Sequence, residues 1–303
     1  MLLLGLLLMT MSMPARSGDD QVLVIGDTTR PYVVDFIRAL RQSAAQSSLS
    51  VVTSDVKRTD NLQNLQGYRC VVTVGNEAAR HFAGQSYNVP ILHALVTDAL
   101  AQELSGESSP QAGRGFLLVE QPVSRLLQLA ILAMPERKRL GVIYGPVSLR
   151  SQGDMQRQAG SMGAMLVERQ IRDEQQLSGT LDFFTENADL LITLPDPVVV
   201  NEGSIKTLML GAYHGNLPLL GYSQAMVKAG ALMAIHTTPE QFGRYSGELI
   251  ASGFWNNPNP SGVRFQPRYF EVSVNYQVAR ALAIDLPNED ELEARIRTAE
   301  QGR

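Results

Sequence analysis

Two short apolar runs, Val22-Leu-Val-Ile-Gly26 and Leu140-Gly-Val-Ile-Tyr144, constrain this chain more than any other feature. Each has the length of a buried strand, and each is followed by a helix-like segment and further strand–helix alternation. The second run is reached through Gln121–Gly145, QPVSRLLQLAILAMPERKRLGVIYG. There Leu126, Leu127, Leu129, Ala130 and Ala133 share one helical face, and Pro135-Glu-Arg-Lys-Arg139 breaks the pattern with proline and charge. A chain that begins the same plan twice is expected to form two α/β lobes. This stretch is the first bridge between them.

The alternation can be followed in order. Strands are expected at Val22–Ile25, Leu49–Thr53, Tyr68–Val74 and Pro90–Val96, with helices at Tyr32–Gln46 and from Glu77 to Phe82. The polar loop Ser105–Gly115 ends the first lobe. The second lobe is expected to use strands Leu140–Tyr144, Met165–Arg169, Ala188–Leu194, Pro218–Gly221 and Ala231–His236. A helix over Glu240–Ser252, a strand over Arg264–Val274 and helices over Tyr276–Ala283 and Asp290–Ala299 close the chain. Alternation of this kind implies parallel sheets covered by helices on both faces. The expected units are residues 19–120 with 239–262 for the N-terminal lobe, and 121–238 with 263–303 for the C-terminal lobe.

Composition excludes some functions. The chain has 303 residues, enough for two domains or for one large one, and a net charge of −4 with no block of Lys or Arg. Duplex nucleic acid and an anionic membrane surface are therefore poor partners. The single cysteine, Cys70, lies in the apolar run Arg69–Val74, which excludes an intrachain disulfide and a cysteine-based zinc knuckle. Leu2–Met11 is apolar but too short for a membrane span of about 20 residues. With Pro14-Ala-Arg-Ser-Gly18 behind it, the run reads as a leader over 1–18 that is cleaved on export. No cysteine follows it to carry a lipid anchor, so the expected location is the periplasm.

In open α/β sheets, ligands sit at the carboxyl ends of the strands. Two facing lobes would enclose one cleft there. The strand-exit residues that could line it are Thr28, Arg30, Tyr32, Gly75, Asn76, Glu77, Thr97 and Asp98 from the first lobe. From the second they are Tyr144, Ser148, Pro195, Asp196, Tyr222, Ser223 and His236. Helix starts at Asn76 and Ser148 would offer free N–H groups to a carboxylate. Arg30 or Arg150 could add a charged fork, and Asp98 or Asp196 could take an ammonium. Tyr32, Tyr144 and Tyr222 could stack on a flat ligand.

Signals for catalysis are weak. Gly221-Tyr-Ser223-Gln-Ala225 is a degenerate nucleophile elbow, and no His follows His236 to complete a hydrolase order. The histidines His81, His93, His214 and His236 show no metal-ligand spacing, and His93 reads as a core residue. Neither GxGxxG nor GxxxxGK[ST] occurs, so a nucleotide site has no support. No cofactor, metal or catalytic residue is expected.

Pro218-Leu-Leu-Gly-Tyr-Ser-Gln-Ala-Met-Val-Lys-Ala-Gly-Ala-Leu232 resembles the second-lobe segment of the ABC transporter substrate-binding proteins, the group with tryptophan- and tyrosine-type members. So does Tyr269-Phe270-Glu-Val-Ser-Val-Asn275-Tyr-Gln-Val-Ala279-Arg-Ala-Leu-Ala-Ile284-Asp-Leu-Pro287, in which Ala283 stands where the family commonly has Gly. The bridge Leu126–Gly145 is similar to the family's Leu-Leu…Pro-x-x-Lys-Arg-(Leu/Val)-Gly-Val-(Ile/Leu)-Tyr. Gly75–Ala79, Val96-Thr97-Asp98 and Tyr144-Gly145-Pro146 resemble its ligand loops, with Gly145 in place of a polar residue. The resemblance implies a type I periplasmic-binding-protein fold: two Rossmann-like lobes with parallel sheets and a three-segment hinge. It further implies a non-enzymatic protein that captures a small solute, such as an amino acid, and hands it to an ABC permease in the inner membrane. An exported sensor or accessory subunit, signalling through a membrane partner, is the alternative use of the same fold.

Overall fold

The computed structural model describes residues 20–56, 65–83, 87–105, 113–256 and 262–302. The expected leader over 1–18 and most of the polar Ser105–Gly115 loop lie outside them. The first sheet contains β1 (Gln21–Gly26), β2 (Ser50–Asp55), β3 (Cys70–Val74), β4 (Ile91–Val96), β5 (Arg114–Leu118) and β11 (Val263–Phe265). The second contains β6 (Arg139–Tyr144), β7 (Met165–Gln170), β8 (Leu190–Thr193), β9 (Leu219–Gly221), β10 (Met233–His236) and β12 (Glu271–Val274). Their strand orders are β11-β5-β4-β3-β1-β2 and β12-β10-β9-β8-β6-β7. Among the described residues every pairing is parallel except β10 with β12.

The helices are α1 (Pro31–Ala45), α2 (Asn76–His81), α3 (Asp98–Ser105), α4 (Val123–Ala133), α5 (Gln152–Ser161), α6 (Leu177–Asn187), α7 (Ser204–His214), α8 (Gln224–Ala229), α9 (Pro239–Ala251), α10 (Tyr276–Ala281) and α11 (Glu289–Gln301). They cover both faces of each sheet, which is why central strands such as β3 and β8 are buried at every position. Cys70 is one of these buried positions, and burial pushes its thiol up to about 12. α1 buries Val33, Phe36, Ile37 and Leu40, the face its spacing predicts. It lies against α9, where a Cβ on Gly243 would collide with the Phe36 carbonyl oxygen. α9 starts at a capping box: Thr238 Oγ1 accepts from the Gln241 N–H, and the Gln241 side chain accepts from the Thr238 N–H.

The chain passes between the sheets after β5, after β10 and after β11. Side chains knot these passages together. Gln121 Nε2 donates to Thr237 Oγ1 at 2.6 Å, and that hydroxyl donates to the Tyr269 carbonyl at 2.6 Å. Arg125 Nη1 donates to Gln121 Oε1 at 2.8 Å and to the Pro267 carbonyl at 3.0 Å. Its guanidinium is buried, lies 4.4 Å from the Phe270 ring centre and pairs with Glu300 at 2.7 Å.

Three expectations change. Arg264–Val274 is two strands rather than one. β11 joins the first sheet beside β5, and β12 joins the second, so the C-terminal lobe does not resume at 263. Pro267, which has no N–H to give a ladder, lies between them. Arg114–Leu118 is a full strand of the first sheet rather than the tail of a loop and the entry to a bridge. Asp98 opens a helix, α3, where only a strand-exit loop was expected.

Candidate functional site

A cavity of about 620 Å³ lies between the lobes at the carboxyl ends of β4, β5, β6, β8, β9 and β10. The first lobe lines it with Asp98, Ala99, Leu118, Val119 and, from α9, Pro239 and Phe242. The second lobe contributes Val147, Ser148, Arg150, Ser151, Asp154, Leu194, Pro195, Tyr222, Ser223 and His236. Glu120 and Gln121, from the first passage between the lobes, join it with Val123 and Leu126 of α4, as do Gln224, Thr237, Thr238 and Gln266. Apolar side chains and polar or charged ones contribute to the walls in similar number, a make-up that can hold an amphipathic small molecule.

The expected site residues divide. Asp98, Ser148, Pro195, Tyr222, Ser223 and His236 all line this cavity. Arg30, Tyr32, Gly75, Asn76 and Glu77 instead line a separate recess of about 200 Å³ at the exits of β1 and β3. Gly75 has φ +89°, a backbone conformation that glycine adopts without strain, and Tyr32 Oη lies over it. Asn76 is committed to Thr97: its Oδ1 accepts from the Thr97 N–H at 3.1 Å. Thr97 also caps α3 by accepting from the Leu100 N–H at 3.3 Å, and it does not line the cavity. Thr28 donates to Asp55 Oδ2 at 3.3 Å and faces a third depression with Val34 and Thr53.

Two residues expected to face a ligand are turned inward. Tyr144 is fully buried, and its hydroxyl donates to Glu168 Oε1 at 2.9 Å. Burial, then the Glu168 hydrogen bond and charge, hold its phenol well above the usual range. Asp196 is buried under the loop after β6. It accepts the N–H groups of Val147 at 2.9 Å, Ser148 at 2.7 Å and Val198 at 2.9 Å, and the Ser148 hydroxyl at 3.0 Å. Its carboxylate builds the cavity wall from behind. Gly145 lies where any Cβ would strike that carboxylate, so a polar side chain at this position is sterically excluded.

The remaining groups have assignable states. Burial, then the Asp196 charge, push the Tyr222 phenol up to about 12, leaving it a neutral donor. Burial lowers His236, whose Nε2 lies 2.9 Å from Ser273 Oγ. Ser223 Oγ accepts from the Met226 N–H at 3.3 Å as the cap of α8. The serine and histidine considered for a hydrolase are each engaged elsewhere. His93 is the core residue its sequence context suggests: it lies 2.8 Å from Thr73 Oγ1 and stacks on Phe116, and burial lowers it to about 3. Among the described residues, no group of His, Cys, Asp or Glu is placed to hold a metal ion.

The residues missed include Glu120, Gln121, Leu118, Phe242, Asp154 and Gln266, all in the cavity wall. Glu120 matters most. Both its carboxylate oxygens accept from the Asp98 N–H, at 3.1 and 3.0 Å. Burial pushes its carboxyl up to about 7, against the lowering by its backbone hydrogen bonds. Reading Gly115–Leu118 as a strand would have placed Glu120 at a strand exit and in the candidate set.

The family described as ABC transporter substrate binding protein matches residues 62–294. Among solved structures, a conserved domain protein from Vibrio cholerae is 18% identical, with a TM-score of 0.60 over 91% of this chain and 98% of that one. A substrate binding protein with adhesive properties from Clostridium difficile, in a ligand-free, open structure, is 16% identical. Its TM-score is 0.67, over 89% of this chain and 96% of that one. An ABC domain from Streptococcus pneumoniae in complex with L-Trp is 16% identical, with a TM-score of 0.57 over 88% and 96% of the two chains. These likenesses establish the two-lobe fold. No curated protein matches the chain.

Proposed function

We propose, for a chain that belongs to the ABC transporter substrate-binding protein family, that it captures one small solute between its lobes and delivers it to an ABC permease. The observation that carries this reading is the cavity of about 620 Å³ whose wall is drawn from both lobes and from the passages between them. A ligand there touches both lobes at once, so it favours the closed arrangement by its differential affinity. The two conformations then give the permease something to distinguish.

An amino acid is the first solute class to test. The cavity sets a carboxylate, Glu120, and a guanidinium, Arg150, among apolar side chains, and a zwitterion with an apolar side chain matches all three. The apolar Leu2–Met11 run supports export to the periplasm, where the permease would be met. Isothermal titration of the purified protein against amino acids, sugars and other small metabolites is the test. The expected result is saturable one-to-one binding. A ligand at one hundred times its Kd should stabilise the fold by about 2.7 kcal/mol. Silence across the panel overturns the reading.

A further inference from the structure

The charges facing the interlobe cavity are unequally matched. Asp98 pairs with Arg264 at 3.4 Å, and Asp154 pairs with Arg157 at 3.4 Å. Arg150 donates through Nε to the Val147 carbonyl at 2.7 Å and through Nη1 to Gln102 Oε1 at 3.1 Å. His236 is bonded to Ser273, and burial lowers its imidazole from the usual range. Glu120 differs from all of these. It receives the Asp98 N–H, and among the described residues no lysine or arginine forms an ion pair with it.

Its backbone is also unusually well placed. The preceding Val119 N–H donates to the Val96 carbonyl at 2.9 Å, and the following Gln121 is tied to Thr237 in the passage between the lobes. The carboxylate is thus placed where the chain leaves the first lobe, half-buried in a cavity wall that also carries Leu118 and Leu126. A carboxylate in such a place costs least when a cation sits against it.

From this geometry we infer that Glu120 determines specificity by accepting a protonated amine of the ligand. The inference rests on the solute-capture reading above and narrows it to ligands that carry an ammonium group. Above pH 7, where Glu120 is ionised, neutral sugars and plain carboxylates are disfavoured, because they leave the half-buried carboxylate without a counter-charge. The groups that face Glu120 are Asp98 of α3, itself paired with Arg264 of β11, and Arg150 of the turn after β6. Burial pushes the carboxyl up to about 7. A bound ammonium favours the ionised form, so capture releases a proton at pH 6 and little at pH 8.

The test is titration calorimetry of wild-type protein, Glu120→Gln and Glu120→Asp. The probes are the standard L-amino acids, simple alkyl and aryl primary amines, α-hydroxy acids and neutral monosaccharides, at pH 6 and pH 8. The expected result at pH 8 is binding confined to amine-bearing probes, with a loss of at least tenfold in Glu120→Gln and partial retention in Glu120→Asp. Wild-type affinity should rise about tenfold from pH 6 to pH 8, the change in ionised fraction of a group titrating near 7, and Glu120→Gln should show no such rise. Equal thermal midpoints for wild type and Glu120→Gln at pH 5, where both side chains are neutral, show that the variant folds. Equal affinities for an amine in wild type and folded Glu120→Gln at pH 8, or capture of a sugar by wild type at pH 8, overturn the role of Glu120 and leave solute capture standing. No binding by wild type to any probe overturns both.

Discussion

Arg150 of the second lobe donates from Nη1 to Oε1 of Gln102 on the first lobe, at 3.1 Å, a bond that links the two lobes. The guanidinium is steadied by its second bond, to the Val147 carbonyl. An exposed hydrogen bond of this kind contributes about 1 kcal/mol, or roughly a fivefold bias between two arrangements. Gln102→Ala should therefore shift the unliganded protein toward a more open form without unfolding it. Small-angle scattering should report a larger radius of gyration, and an unchanged profile would show that this bond does not hold the lobes.

Gly145 is fitted to Asp196. Gly145→Ala drives a methyl group into the carboxylate that gathers the N–H groups of Val147, Ser148 and Val198. Overpacking and displaced buried hydrogen bonds should together cost about 2–3 kcal/mol. Urea denaturation measures this, and ligand affinity should fall as well, because Val147 and Ser148 line the cavity.

Ala283 ends α10 with φ +52°. The Ile284 N–H reaches the Ala279 carbonyl at 2.9 Å and the Ala283 N–H reaches Arg280 at 3.2 Å, which is a Schellman ending built on a residue with a Cβ. Ala283→Gly removes the left-handed penalty of about 1–2 kcal/mol and loses part of that to greater freedom of the unfolded chain. The expected net gain is roughly 0.5–1 kcal/mol in a denaturation midpoint, with no change in binding.

Gln128 of α4 is buried, and among the described residues neither its Nε2 nor its Oε1 has a hydrogen-bond partner. Gln128→Met keeps the volume and removes an uncompensated amide, which costs about 1–3 kcal/mol. The variant should be more stable by about 1 kcal/mol or more at an unchanged denaturant slope. A loss of stability would mean the amide finds a partner in solution.

Glu120 also sets a pH dependence of folding. Its folded value, about 7, exceeds its ordinary value, so the native state holds a proton that the unfolded chain has lost. The favourable contribution is full below the ordinary carboxylate range and is lost as pH rises through about 7. The unliganded protein should therefore lose stability between pH 5 and pH 8. Thermal melts of Glu120→Gln should lack that component, and parallel curves for the two proteins would contradict it.

The strand–helix alternation, the paired lobes and the burial of Cys70 and His93 can be read from local pattern. A strand covered on both faces must be continuously apolar, and a helix covered on one face must repeat about every 3.6 residues. The departure at Ala283 was visible too, although its consequence needed the backbone angle. β5 was hidden because Arg114 begins it: a buried arginine reads as a loop until its Nη1 is seen donating to the Leu104 carbonyl at 2.7 Å. Losing β5 also lost Glu120.

The site divided along a different line. Every candidate was chosen as a strand exit, and nearly all are, but a strand exit says nothing about where a side chain turns. Tyr144 and Asp196 point inward because Glu168 and the N–H groups of the loop after β6 offer them partners there. Arg30 and Glu77 face a recess of their own because that part of the first lobe contributes nothing to the larger cavity. Periodicity along the chain therefore determined that there would be two sheets and which edges would carry loops. The relative placement of those edges, and the choice each polar side chain made between a buried partner and the cleft, belong to the tertiary structure. They depend on distances between residues far apart in sequence, which no local pattern encodes.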